Sequence, residues 1–129
     1  MKYLTGEDIL IIHSEIIDKT SGAHGIRDVG LFLSIIERPK MRFDNKELYG
    51  GIFKKAAVYF ESFAQYHVFI DGNKRTAVVA SSRFLYISGI EFHAGNKEIE
   101  RFALKAANKQ VDLEEMTNWL KKHSAKIKK

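Results

Sequence analysis

Residues 67–75 of this chain read HVFIDGNKR, and this stretch decides how the rest of the sequence is interpreted. It lies between two long segments in which apolar residues repeat at helical spacing. The dipeptide Asp71-Gly72 is typical of turns. The stretch therefore predicts a tight connection that brings the end of one helix next to the start of another, with polar side chains at the junction.

The two flanking segments are amphipathic. The run from Ile52 to Tyr66 places its apolar residues on one side, namely Phe53, Ala56, Ala57, Phe60, Phe63 and Ala64. We predict that this stripe is protein core and not a cofactor site. After the turn, an alanine-rich helix is predicted from about Asn73 to Ser88, ending at Gly89, because glycine is common just past helix ends.

Further helices are predicted on both sides of this pair. The first follows Thr5, which with Asp8 is placed for a capping box, and ends near Lys19. A second helix begins after Asp28 and stops before Pro39. Residues 20–25 and 39–50 are predicted loops, 90–93 a short extended piece, and two more helices lie near 96–108 and 113–122. The sequence predicts an all-α bundle of about six helices in a single domain, residues 1–129.

Composition excludes several classes of protein. The 129 residues contain no cysteine, which excludes disulfides and thiolate metal sites. The net charge of +5 comes from a basic C-terminal tail, residues 121–129, that holds five lysines; the other 16 basic residues balance the 16 acidic ones. We interpret the tail as a solvated helix end and do not expect nucleic acid as a partner by itself. No run is long enough for a signal peptide or a membrane span, so we expect a cytoplasmic protein without a membrane partner.

The start of the helix after the turn is a predicted anion site. Asn73 is a good N-cap residue, and the amides that follow it carry the positive end of the helix dipole. Gly72 allows a close backbone approach to a ligand. Lys74 and Arg75 add positive charge, so the segment is suited to phosphate groups.

Two other side chains in the turn suit group transfer. Asp71 offers an oxygen ligand, and Mg²⁺ often takes one or two carboxylates together with phosphate oxygens. His67 can accept a proton near neutral pH. Phe69 alternates with the polar positions and is expected to anchor the turn in the core. Together these residues indicate phosphoryl or nucleotidyl transfer.

Each of these residues also has a purely structural interpretation. His67 could be a hydrogen-bonded structural histidine, and Asp71 and Arg75 could form a local ion pair. Asn73 could cap its helix with no ligand above it, and Lys74 could simply be solvated. The coincidence of all these features in one turn favours the functional interpretation.

The segment resembles the signature of the Fic/Doc family, His-x-Phe-x-(Asp/Glu/Asn)-(Gly/Ala)-Asn-(Gly/Lys)-Arg. The matching positions are His67, Phe69, Asp71, Gly72, Asn73, Lys74 and Arg75. Residues 3–5, 25–31 and 37–39 are similar to the death-on-curing (Doc) branch. The resemblance covers most of the chain and implies the same all-α fold.

The resemblance also implies roles for the motif residues. His67 would act as general base on a target hydroxyl, and Asp71 would help hold Mg²⁺. The Gly72-Asn73-Lys74 backbone and Arg75 would bind the phosphates of ATP. Typical Fic proteins have glycine at the position of Lys74 and transfer AMP, whereas the Doc branch has lysine there and transfers the γ-phosphate. We therefore favour a protein kinase over an AMP transferase, with a threonine of elongation factor Tu as the expected target and arrest of translation as the result.

Two further features bear on activity and control. Gln65 stands where family members often have a basic residue, which could weaken phosphate or target contacts. The chain lacks the (Ser/Thr)-x-x-x-Glu-(Gly/Asn) segment by which many Fic proteins inhibit themselves. We therefore expect an antitoxin protein that inhibits in trans. A non-catalytic nucleic-acid-binding domain that uses the basic tail is the alternative from a different class.

Overall fold

The computed structural model describes residues 1–128. Among these residues are six α-helices, one 3₁₀ turn and two short antiparallel sheets. In chain order the elements are α1 (Gly6–Thr20), α2 (Val29–Glu37), the 3₁₀ turn (Arg38–Lys40), β1 (Arg42–Phe43), β2 (Lys46–Glu47), α3 (Ile52–Gln65), α4 (Asn73–Ile87), β3 (Ile90–Phe92), α5 (Asn96–Ala107), α6 (Leu113–Lys122) and β4 (Ser124–Lys126). The predicted all-α bundle is confirmed, and its helix boundaries agree closely with the predicted ones.

The helix starts show why these boundaries were readable in the sequence. Thr5 and Asp8 form the predicted capping box: the Thr5 amide donates to Asp8 Oδ2 at 2.8 Å, and the Asp8 amide donates to Thr5 Oγ1 at 3.1 Å. Asp28 accepts the Leu31 amide at 3.0 Å and caps α2. Each cap satisfies an amide that has no partner inside its helix.

Helix α3 lies at the centre of the bundle, in contact with α4, α5 and α6. Its predicted apolar stripe is core, since Ala56, Ala57, Phe60 and Phe63 are completely buried. Buried Tyr59 accepts the Leu4 amide at 3.1 Å and so links α3 to the chain entering α1. The central position of α3 fixes where the following turn leaves the core.

The segment 39–50 was predicted to be a loop, but it includes short regular elements. It contains the 3₁₀ turn and a hairpin in which Arg42 pairs with Glu47. Asp44 and Asn45 form the hairpin turn with positive φ angles of 53° and 61°, which these residue types tolerate well. Fully buried Lys55 holds the segment, since its Nζ donates to the Pro39 carbonyl at 2.9 Å and lies 3.3 Å from Glu47 Oε1.

The basic tail is not the solvated helix end that was predicted. Helix α6 ends at Lys122, and residues 124–126 form β4, which pairs with β3. Two flanking bonds extend the ladder: the His93 amide donates to the His123 carbonyl at 2.8 Å, and the Ile127 amide to the Gly89 carbonyl at 3.0 Å. Backbone pairing decides the conformation here, although the lysine side chains at 121, 122, 126 and 128 remain exposed. Lys129 lies outside the described residues. Within residues 1–128, no helix combines the length and apolarity that a membrane span needs.

Candidate active site

The turn between α3 and α4 is held in shape by Asn73. Its Oδ1 accepts the Phe69 amide at 3.0 Å, and its Nδ2 donates to the Phe69 carbonyl at 2.9 Å. The prediction that Asn73 is the N-cap is therefore wrong: Gly72 is the N-cap, and no side chain caps α4. Asn73 is the first helical residue. Its side-chain amide takes the place of a backbone group as the hydrogen-bond partner of the Phe69 backbone.

Phe69 fixes the turn to the core. Its side chain is 1% exposed and lies between aromatic rings from three helices. The His13 ring of α1 stacks on it with centroids 3.7 Å apart, Phe63 of α3 stacks at 6.1 Å, and Phe32 of α2 meets it edge-on at 5.9 Å. Contacts from α1, α2 and α3 thereby fix the position of the turn relative to the core.

The loop before α2 holds the outer edge of the turn. Ile26 and Phe69 form an isolated antiparallel bridge. The Ile70 amide donates to the Gly25 carbonyl at 3.1 Å, and the Arg27 amide donates to the Val68 carbonyl at 2.7 Å. These bonds hold the peptide groups directly after His67.

His67 stands at the end of α3 with its side chain exposed. Its φ angle of 49° lies in the left-handed region, which turns the chain sharply away from the helix. Within the described residues its ring takes part in no salt bridge or hydrogen bond. The side chain is therefore available to a substrate, and a role as a hydrogen-bonded structural histidine finds no support in this geometry.

Asp71 is held at three points and keeps one oxygen free. Its carbonyl oxygen lies 2.7 Å from His13 Nε2, and its Oδ2 accepts the Ala23 amide at 2.8 Å. Its Cβ lies so near Gly22 that a Cβ added to that glycine would be 3.4 Å away. Oδ1 has no partner in residues 1–128, and no ion pair with Arg75 forms there. The described residues contain no group of three or more metal-ligating side chains. One oriented carboxylate oxygen fits Mg²⁺, which needs few protein ligands when phosphate oxygens complete its shell.

The start of α4 presents unpaired amides. Gly72 has a φ of 80°, and the first bond of the helix runs from the Thr76 amide to the Gly72 carbonyl at 2.9 Å. The amides of Asn73, Lys74 and Arg75 therefore have no acceptor within the described residues. The side chains of Lys74 and Arg75 are exposed and form no ion pair in that part of the chain. Amides, helix dipole and two cations together make a site suited to anions.

Gln65 does not face this site. Its Nε2 donates to the Ala106 carbonyl of α5 at 3.0 Å. Gln65 therefore ties α3 to α5 near the end of α5. Its side chain thus contributes to the packing of these two helices.

Sequence reasoning missed a cluster around Arg38. Its guanidinium donates to Glu61 at 2.6 Å, to Ser62 at 2.8 Å and to Tyr49 at 3.3 Å. Burial lowers the pKa of Arg38, but the bonds to Glu61 and Tyr49 outweigh it and leave the pKa above its usual value. Glu61 and Ser62 lie near the C-terminal end of α3, so the cluster steadies the helix end that precedes His67. No sequence pattern pairs Arg38 with a residue 23 positions away.

A second missed residue is His13. The structure buries it to 4% exposure behind Asp71 and Phe69. Its place on the apolar face of α1, between Ile9 and Ile16, was the signal that could have revealed a buried position.

The chain is similar in sequence to known proteins over most of its length. The sequence model of the family described as Fic/DOC matches residues 3–85. A protein named Toxin Doc, from Mycolicibacterium smegmatis, is 36% identical over 93 residues, which cover 72% of this chain and 69% of that protein. A protein named Protein kinase doc, from Escherichia phage P1, is 26% identical over 122 residues, which cover 95% of each chain.

Proposed function

This chain belongs to the Fic/DOC family, within its Doc toxin branch, and from that premise we propose that it is the toxin of a toxin–antitoxin pair. Its activity is the transfer of the γ-phosphate of ATP to a serine or threonine hydroxyl of a protein. The target is elongation factor Tu, whose modification stops translation. The names of the two relatives, one a toxin and one a protein kinase, support both parts of the proposal.

Lys74 is the observation that carries the choice of reaction. It is the second residue of α4, exposed, and adjacent to the amides that have no acceptor. A lysine here fills space that a glycine would leave to phosphates, and it adds a point charge. The nucleotide then binds with its γ-phosphate, and not its α-phosphate, facing His67.

The transfer step uses His67 as general base. A ring nitrogen of His67 takes the proton of the target hydroxyl as the hydroxyl oxygen forms a bond to the γ-phosphorus. The bond between the γ-phosphorus and the β–γ bridging oxygen breaks, and ADP leaves with that electron pair. The positive φ of His67 and the missing intramolecular partner for its ring leave the base free to meet a macromolecular substrate.

The remaining turn residues position the phosphates. Amides at the start of α4 and the Arg75 guanidinium bind phosphate oxygens, and charge there stabilises the transition state. Asp71 would hold Mg²⁺ through Oδ1, the carboxylate oxygen that the Ala23 amide does not occupy. When bound, Mg²⁺ neutralises phosphate charge and orients the phosphate chain.

AMP transfer is the second candidate, and the free amides favour it as much as they favour phosphate transfer. Every motif residue except Lys74 also suits a nucleotide bound in the opposite direction. The two reactions differ in the mass added to the target, because AMP is much heavier than phosphate.

An antitoxin is the proposed protein partner. The sequence lacks the self-inhibitory segment of many relatives, and His67, Lys74 and Arg75 are exposed. A partner that offers acidic or polar groups to Lys74 and Arg75 would cover the anion site.

Intact-mass spectrometry of elongation factor Tu, incubated with this protein, ATP and Mg²⁺, tests the proposal. An increase of one phosphate is the expected result. An increase of one AMP would replace the kinase with the second candidate. An unchanged mass, with a protein shown to be folded, would contradict the proposed target.

A further inference from the structure

A buried histidine outside the proposed catalytic group lies directly behind the motif turn. His13 projects from α1, and its ring lies flat on Phe69, with centroids 3.7 Å apart and planes 9° apart. Its Nε2 is 2.7 Å from the carbonyl oxygen of Asp71. Because a carbonyl oxygen only accepts, Nε2 carries the hydrogen in this bond.

The bond also constrains a group that His13 does not touch. The Asp71 carbonyl and the Gly72 amide belong to one planar peptide group, in which C=O and N–H point in opposite directions. Since His13 draws the carbonyl towards α1, the Gly72 amide points away from α1. Within the described residues that amide has no acceptor.

Gly72 lies close to one face of α1. A Cβ atom at this position would lie 3.1 Å from Ile17 Cδ1, 3.6 Å from Ile16 Cγ2 and 3.7 Å from His13 Cδ2. These three residues form one face of α1, at the helical steps of three and four residues. The face therefore supports the peptide group at short range, and only His13 offers it a hydrogen bond.

We propose that His13 is a positioning residue which aims the Gly72 amide at the bound polyphosphate. The anion site then comprises four consecutive amides, residues 72–75, and not only the three that the helix start provides. The same bond fixes the backbone of Asp71, so the free carboxylate oxygen keeps its direction. This inference rests on the function proposed above and names the group that organises its site.

Two substitutions separate the hydrogen bond from the packing. His13→Gln places an amide nitrogen near the position of Nε2 and keeps the donor without the ring. His13→Phe keeps a ring that can stack on Phe69 but has no donor. Ile17→Val is the control, because it loosens the same contact with Gly72 without removing a hydrogen bond.

The measurements are the dissociation constant for Mg·ATP by calorimetry, the melting temperature, and the ¹⁵N resonance of the Gly72 amide in the nucleotide-free protein. We expect His13→Phe to bind about tenfold more weakly, which corresponds to one lost hydrogen bond. His13→Gln should stay within about threefold of the unmodified protein, and Ile17→Val should match it, whatever their melting temperatures. The Gly72 resonance should move in His13→Phe and change little in the other two.

Several results would overturn the inference. One is His13→Phe binding as tightly as the unmodified protein; another is binding that falls in step with melting temperature in all three variants. If the unmodified protein does not bind Mg·ATP, the proposed function fails, and the Gly72 resonance alone decides the role of His13. If His13→Phe does not fold, the side-chain ¹⁵N shifts of His13 in the unmodified protein decide it, since an Nε2 without hydrogen would exclude the bond.

Discussion

His67 shows how a backbone angle can decide what a side chain does. With a φ of 49°, the residue cannot continue α3, and its ring projects to solvent instead of packing on the helix. A non-glycine residue in the left-handed region has a conformational cost. Packing of the buried residues Val68 and Phe69 offsets this cost and keeps His67 in that conformation. Because Phe69 is fixed in the core, His67, two positions before it, stays exposed to solvent.

Replacing His67 with alanine should abolish transfer without unfolding the protein. Loss of a general base lowers a rate by about 10²–10⁴-fold. Because the side chain is exposed and has no partner in residues 1–128, the free energy of unfolding should change by less than about 0.5 kcal/mol. Phosphate incorporation and thermal unfolding measure the two effects, and His93→Ala, an exposed histidine outside the turn, is the control. Transfer at the original rate in His67→Ala would remove the proposed base.

Lys74 has a close structural counterpart in Lys97, the second residue of α5. Lys74→Gly should move the product from phosphate towards AMP, because the space beside the free amides opens to the α- and β-phosphates. Lys97→Gly has a similar cost in helix propensity but should leave the product unchanged. Intact mass of the target reads the result directly. An identical phosphate product in both variants would contradict the role assigned to Lys74.

At the scale of the element, α4 and α5 begin alike but differ in how their first residue bonds to the preceding chain. Each begins with Asn-Lys after a glycine N-cap, and neither has a side-chain cap. Only Asn73 folds back on the preceding turn, through its two bonds to Phe69. The turn before α4 is thereby rigid, and its amides are held ready for a ligand.

We call the two hydrogen bonds between the Asn73 side chain and Phe69 the clamp. Its contribution to the free energy of unfolding can be measured by comparison with Asn96, the first residue of α5. Asn73→Ala removes both bonds to Phe69 and should lower the free energy of unfolding by about 1–3 kcal/mol. Asn96→Ala should change it by less than about 0.5 kcal/mol, because Asn96 makes no side-chain hydrogen bond in the described chain. Denaturant unfolding of the two variants gives the comparison. Equal losses would show that the effect belongs to any helix start and not to the clamp.

Local signals in the sequence predicted the helices well, but contacts between residues far apart in the sequence were not predicted. Capping residues such as Thr5 and Asp28, and the apolar stripe of α3, act within a few residues and were correctly interpreted. The error at Asn73 arose because a good N-cap residue also suits a side-chain bridge across a turn. The pairing of β4 with β3, and the bond from His13 to Asp71 across 58 positions, depend on how helices pack. No local pattern encodes them.

At the scale of the whole molecule, the core contains a tyrosine that limits alkaline stability. Burial raises the pKa of Tyr59 to about 12, against a usual value of 10.0. Between those pH values the folded protein keeps a proton that the unfolded chain loses. The contribution of Tyr59 is therefore fully present below about pH 10 and is lost as pH rises towards 12.

Unfolding measured across this range should show the effect. The free energy of unfolding should fall by on the order of 2 kcal/mol between about pH 10 and 12. In Tyr59→Phe that decline should largely disappear, although the variant starts less stable because the Leu4 amide loses its acceptor. Tyr86→Phe, at an exposed tyrosine, should keep the decline. A decline that persists in Tyr59→Phe would assign the effect to other groups.

The bridge between Ile26 and Phe69 joins two stretches of chain that the exposed segment 41–48 separates. One stretch, residues 13–28, brings the His13 ring, the Ala23 amide and the Gly25 carbonyl that orient the turn. The other, residues 67–75, brings the side chains that we propose for the transfer reaction. A protein cut between β1 and β2 would therefore yield two fragments, each with half of the site. If such fragments reassemble, the proposed phosphate transfer would require that both be present in the same cell. Harm to the cell would then require the joint expression of two genes that are harmless when expressed singly.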